Sequence, residues 1–164
     1  MNYFTEEMWL SLNIGLEVNE NRVRWYENEK KYRKILASIS GRLHVKTYKY
    51  FSQIGFHDFR LEKMELIHNE YGKKPVVQVI LYVTYDENTF RIHFTNVLKL
   101  EIKAAENFCS YRGIDDWGYE EILPIDDKTL SFEVLFASGT TIYIAFPNKT
   151  LKVDEVELPQ SPRV

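Results

Sequence analysis

The sequence predicts an α+β protein in which N-terminal helices pack on a curved, mostly antiparallel sheet of about six strands. Three observations predict it. Apolar residues recur at helical spacing up to Ser40, whereas beyond Phe56 they alternate with a period of two. The alternating segments are joined by short turns, without the helical crossovers that a parallel sheet requires. Aromatic residues reach 15%, with 11 Tyr and 10 Phe, and their bulk suits a β-rich interior.

The elements follow in order. Thr5 can cap a short helix to Asn13, with Glu6 and Glu7 in the first turn where the helix dipole favours acids, and Gly15 marks its exit. Asn19 or Asn21 opens a longer helix to about Ser40, which Gly41 is placed to stop. On a wheel Trp25, Tyr32, Ile35, Leu36 and Ile39 share one face, Asn28 and Glu29 edge it, and Arg22, Lys30, Arg33 and Lys34 lie mostly opposite. A weaker helical piece from Leu43 to Gln53 carries the β-branched Val45 and Thr47, and Gly55 closes it.

In the β part the apolar parity is odd at Phe59 and Leu61 but even at Met64 and Leu66, a slip near Glu62-Lys63 that signals a β-bulge. Together with the aromatic content it suits curling toward a half-barrel. Val77 to Tyr85 forms an odd stripe. Asp86 to Thr89 turns the chain into an even stripe from Phe90 to Ile102, with Asn96 its polar member. Leu130 to Phe136 and Ile142 to Phe146 flank a Ser138-Gly139 turn, and Leu151 and Val153 begin a last strand. Residues 1–55 thus form a helical part, 56–157 an antiparallel part of the same compact domain, and 158–164 a frayed tail.

At 164 residues the chain can bury a sizeable core without staples. Charge changes with structure: residues 1–74 carry 13 Lys and Arg against 10 Asp and Glu, and the remainder 8 against 14. The net charge of −3 is too small to mark the whole chain as a nucleic-acid binder. Cys109 is the lone cysteine, so no disulfide forms within the chain, and its expected place is half-buried. The acidic start is not a signal peptide, and no apolar run approaches the length of a membrane span. A cytoplasmic setting without membrane contact follows as the expectation.

No nucleotide loop, nucleophile elbow, His-Glu-x-x-His or Cys-x-x-Cys is present. Neighbouring His57 and Asp58 can share a proton or bind a ligand. On a strand, however, adjacent side chains diverge, which makes a common metal hard for both to reach. The structural alternative has Asp58 capping a turn and His57 partly buried. Among the acids, Asp115, Asp116, Asp126 and Asp127 sit where turns are needed. Glu121 shares parity with Trp117, Tyr119 and Leu123, so it is expected inside, paired with Arg60, Arg91 or Lys99. His44, His68 and His93 are isolated surface residues, His93 on the more polar sheet face. The basic, aromatic stretches from Arg22 to Lys34 and from Lys46 to Phe51 offer stacking and phosphate contacts to RNA, but the wheel turns the aromatics inward and the cations outward.

Four segments carry a resemblance: Met1-Asn2-Tyr3-Phe4-Thr5-Glu6-Glu7-Met8-Trp9, Phe56-His57-Asp58-Phe59-Arg60-Leu61, Arg91-Ile92-His93-Phe94-Thr95-Asn96-Val97, and Trp117-x-Tyr119-Glu120-Glu121 before the final hairpin. In this arrangement the chain resembles a family of small uncharacterised proteins of Bacillus-type bacteria. Its β part is similar to certain immunity proteins that protect cells from polymorphic toxins. The resemblance implies no catalytic residue, no metal ligand and no cofactor, and marks His57, Asp58, Trp117, Glu120 and Glu121 as binding residues to test. The leading expectation is a non-enzymatic cytoplasmic binding protein, a toxin-neutralising immunity protein whose acidic face steers onto a basic partner such as a toxin domain. The alternatives are a small-molecule or metal-dependent enzyme with a pocket between helices and sheet, lined by His57, Asp58 and Glu121, and an RNA binder using the helices. An uncovered edge strand would also offer a template for a homodimer.

Overall fold

A computed structural model describes residues 1–13, 19–69, 76–104, 114 and 116–157. The expectations for Gly15, the change of composition at 72–75, Cys109, Asp115 and the tail 158–164 lie outside these residues. All described helical segments precede Gly55, and all described strands follow it.

Helix α1 spans Glu6–Asn13 and α2 spans Asn19–Ser38. The Thr5 hydroxyl accepts from the Met8 amide at 3.4 Å, the cap its position predicts. Along α2 the inward stripe is as the wheel places it: Tyr32 and Leu36 are buried, with Ile39 just beyond the helix end, and Trp25 packs on the core. A 3-10 turn at Ser40–Arg42 leads to α3, Val45–Lys49, which runs directly into one π turn, Tyr50–Ile54. The β-branched Thr47 is tolerated here because it is buried and its hydroxyl donates to the Leu151 carbonyl at 3.2 Å. Gly55 ends the turn at φ 67° and ψ −177°, a backbone region that essentially only glycine adopts.

The strands are β1 Arg60–Asn69, β2 Val76–Tyr85, β3 Asn88–Phe94, β4 Lys99–Lys103, β5 Trp117–Pro124, β6 Thr129–Phe136, β7 Thr141–Pro147 and β8 Leu151–Val156. They form two four-stranded sheets, ordered β1-β2-β3-β8 and β4-β7-β6-β5, and every named pair is antiparallel. The fold is therefore α+β, but the described residues hold eight strands in two sheets rather than about six in one. The even stripe from Phe90 to Ile102 divides where Asn96 takes φ 56°, and Trp117–Pro124 adds a strand of its own. Past the break the stripe is only partly covered: Leu98 is 62% and Ile102 51% exposed, while Leu100 still packs against the core. The slip at Glu62-Lys63 is real: the register between β1 and β2 shifts between Leu61 and Lys63.

Phenylalanines hold the sheets together. Phe94 of β3 lies 5.2 Å, ring to ring, from both Phe132 of β6 and Phe146 of β7. Phe56, fully buried at the junction of helical and strand parts, touches Phe90 on one sheet and Trp117 on the other. The apolar sheet faces thus cover one another, and the helices are not their sole cover. Backbone bonds cross between the sheets where β1 begins: Trp117 N–H donates to Phe59 O, and Asp58 N–H donates to Trp117 O. Among the described residues no helix is long and apolar enough to cross a membrane.

Candidate functional site

Strand β5 is an edge strand, and it positions the site. Its register against β6 shifts between Trp117 and Tyr119, and the backbone is tight there: a Cβ on Gly118 would meet the Leu135 carbonyl at 2.8 Å. The bulge breaks the simple parity that groups Trp117 with Glu121. Trp117 is fully buried, so its indole N–H needs an acceptor, and Glu120 supplies it at 2.7 Å through Oε2. The other oxygen, Oε1, accepts from the Phe56 amide at 3.1 Å.

The next residue does different work. Glu121 is 1% exposed, and its carboxylate accepts three backbone N–H groups, from Asn2 at 2.8 Å, Tyr3 at 2.6 Å and Phe4 at 2.7 Å. The expected partners Arg60, Arg91 and Lys99 play no part in it: each is paired with a different acid. Glu121 also sits directly across from Glu133 on β6, an unfavourable like-charge pair. The Met1 ammonium at 2.7 Å from Glu133 and the three amides on Glu121 offset that repulsion. Residues 1–4 are thereby laid along β5, and the Tyr32 hydroxyl accepts from the Ile122 amide at 3.0 Å. Burial first, then the nearby Glu120, pushes the Tyr32 phenol far above its usual range, so it remains a neutral hydroxyl.

Between α2, the π turn and β5 lies a cavity of about 370 Å³. Its walls are largely apolar rings and chains: Phe4, Trp25, Tyr32, Leu36, Phe51 and Tyr119. Ile54, Gly55 and His57 complete one side, and Glu29 and Arg33 complete another. Arg33 is already spoken for, donating twice to Glu29 Oε1 at 2.9 and 2.6 Å and once to the Ser52 carbonyl. The rings brace one another, with Phe4 stacked on Tyr119 at 5.2 Å and edge-on to Tyr32 at 5.5 Å. The Trp25 indole N–H lies near the Tyr119 hydroxyl without completing a well-formed hydrogen bond.

Glu120 is the carboxylate of this cavity. Burial lifts it above the ordinary carboxylate value, against the Trp117 and Phe56 N–H groups and the neighbouring His57, which all pull it down. Among the described residues no Lys or Arg forms an ion pair with it.

Of the five residues marked by sequence, His57 and Glu120 line the cavity. Trp117 holds Glu120 from beneath. Asp58 points toward solvent, and Glu121 faces the N-terminal segment. His57 and Asp58 do not diverge as strand neighbours would. Asp58 has φ 67° in a turn before β1, and its Oδ2 comes within 2.9 Å of His57 Nδ1. The carboxylate meets the imidazole instead of capping backbone. His57, Asp58 and Glu121 consequently do not converge on one pocket. The described residues contain no group of three His, Cys, Asp or Glu placed to hold a metal. Asp126 is the turn former expected, its Oδ1 accepting from the Lys128 and Thr129 amides. His93 sits on the outer sheet face against Gln78 at 2.7 Å.

The signal for Tyr32, Leu36 and Trp25 as wall residues is the helical stripe itself. Phe4, Phe51 and Tyr119 carry no local signal, because only the tertiary fold brings them together. Compared with known proteins, the chain matches no family model and no curated protein.

Two outcomes follow from the paired carboxylates. Replacing Glu121 with Ala strands three amides. It should cost about 3 kcal/mol in urea denaturation and speed hydrogen exchange at residues 2–4. For Glu120 the sign is opposite to that of a salt-bridged acid. Its folded value lies above the ordinary 4.5, so the folded state keeps a proton that the unfolded chain has lost. Its contribution to stability is fullest below the unfolded value and falls as pH rises through the folded one. Glu120→Ala should therefore cost more stability near pH ~5 than near pH ~7; a cost that grows with rising pH contradicts the assignment.

Proposed function

We propose that this chain is a non-enzymatic binding protein that holds a small ligand in the cavity between α2, the π turn and β5. The observation that carries the reading is a braced aromatic cavity of about 370 Å³ with one carboxylate at its base. That size and lining, mostly apolar with few convergent polar groups, is what small-molecule sites share. Catalysis gains no support from the placement of Asp58 and Glu121 away from the cavity. Stacking of RNA bases gains none either, since Tyr32 is buried and Trp25 packs on the core. A reduced, cytoplasmic setting belongs to the proposal and rests on the single cysteine. So does curling of the sheet toward a half-barrel, which the Arg60–Asp116 bridge between the outer strands supports.

Leu36→Trp, which fills the cavity from α2, tests the pocket. Neutral aryl alcohols should shift the Trp and His57 resonances of the wild-type protein in a saturable way, and the filled variant should abolish those shifts. Equal shifts in both proteins would place the binding elsewhere.

The toxin-neutralising role implied by the resemblance is a second reading. Its support is a surface depression bordered by Asp86, Glu87, Glu155 and Glu157, where the acidity of the sheet half concentrates. A basic nuclease domain encoded beside this chain should co-elute with it at low salt, and Glu87→Lys with Glu155→Lys should release it. Failure to co-elute at low salt removes this reading and leaves the pocket untouched.

A further inference from the structure

The chemistry of the cavity selects its ligand. Resting on the binding reading above, we infer that the cavity recognises a small organic ammonium ion, its N–H groups on the Glu120 carboxylate and its apolar body against Phe4, Leu36 and Phe51.

Three features converge on this class. The first is an uncompensated acid. Glu120 takes hydrogen bonds from two neutral donors, the Trp117 indole and the Phe56 amide, one to each oxygen. A carboxylate offers about four acceptor sites, so both oxygens retain capacity for a further donor. The nearest fixed cation at the rim, Arg33, is held 2.6 Å from Glu29 and bound to the Ser52 carbonyl. An ammonium ion supplies both what the carboxylate lacks, positive charge and strong donors. An anionic ligand would face Glu120 and Glu29 together.

The second feature is the wall. Trp25, Tyr32, Tyr119 and Phe4 line the same cavity as the acid, and ring faces attract a cation within about 6 Å. A neutral ligand gains only burial from the same walls. The third is size. At roughly 30 Å³ for each small heavy-atom group, the cavity holds about a dozen heavy atoms. That accommodates a whole arylalkylamine. The apolar end formed by Leu36, Phe51 and Ile54 demands a hydrophobic body, so a bare ammonium or a polyamine, with a second charge to bury, is the wrong shape of molecule.

Gly55 belongs to this arrangement. A Cβ at that position would lie 3.2 Å from Glu120 Oε1, so glycine lets the π turn close over the carboxylate while leaving the oxygen open to the cavity.

The test pairs two probes of nearly equal shape, 2-phenylethylamine, charged at neutral pH, and 2-phenylethanol. Titrated into the full chain at about pH 7.5, the amine should bind at least tenfold tighter than the alcohol, a difference of about 1.4 kcal/mol. Glu120→Gln should bring the amine down to the alcohol's affinity. Gln cannot accept from both Trp117 and Phe56, so folding of that variant is checked by its Trp117 indole resonance. The wild-type protein supplies the second readout. The titratable and charged groups that share the cavity with Glu120 are His57 from the turn before β1, Glu29, Tyr32 and Arg33 from α2, and Tyr119 from β5. As pH falls, Glu120, whose burial raises it above the ordinary carboxylate value, gains its proton, which weakens amine binding while leaving alcohol binding unchanged. Equal affinity of amine and alcohol in the wild-type protein overturns cation recognition and leaves the pocket reading standing. Binding of neither probe at millimolar concentration overturns both.

Discussion

The structure turns on two adjacent glutamates that an edge strand sends to opposite sides. Strand alternation gives Glu120 to the cavity and Glu121 to the N-terminal segment, and the bulge beside Gly118 sets which is which. An exposed edge strand is ordinarily a liability, because its free N–H and C=O groups invite another chain. Here the Tyr32 hydroxyl accepts one of the edge amides, that of Ile122, and residues 2–4 are anchored beside the strand through the Glu121 carboxylate. The same anchoring carries Phe4 onto Tyr119 and builds one wall of the cavity. Anchoring the N-terminal segment and shaping the cavity are one event.

The junction between the two halves is equally economical. Phe56 sits between the sheets, and its backbone amide reaches Glu120. Gly55, immediately before it, must hold a backbone conformation closed to other residues for the π turn to end there. A turn that only glycine can close, a core phenylalanine and the cavity acid therefore occupy neighbouring positions. That Glu120 holds the buried Trp117 indole as well as facing the cavity means it is rigidly placed.

Much of the architecture was legible in local rhythm. The inward stripe of α2, the slip at Glu62-Lys63 and the alternation from Val77 to Val83 all follow from periodicity alone. What was not legible depends on isolated backbone angles and on distant partners. Asn96 at positive φ divides one predicted strand, and Asp58 at positive φ brings two side chains together that strand geometry would separate. Parity placed Glu121 inside, but composition pointed to a cationic partner. Three backbone amides more than a hundred residues away satisfy it instead, and no pattern in the sequence announces them. Glu120, its neighbour, stands out in the sequence only as one of a run of acids and through the resemblance.

A pocket of this size, open to solvent, leaves apolar wall in contact with water that closing would bury. Its walls resist collapse because they are committed elsewhere. Tyr32 is held by the Ile122 amide, Phe4 by the Glu121 anchor, Arg33 by Glu29 and Ser52, and Phe51 by its packing on Phe56 and Phe132. Closing the space would require one of these to let go, or would press Glu120 still further from water. The open cavity is thus the less costly state of a packing problem whose other solutions break a hydrogen bond or bury a charge more deeply. An apolar wall and an unpaired carboxylate are individually unfavourable to expose and to bury, and a ligand that satisfies both at once relieves both penalties in a single step.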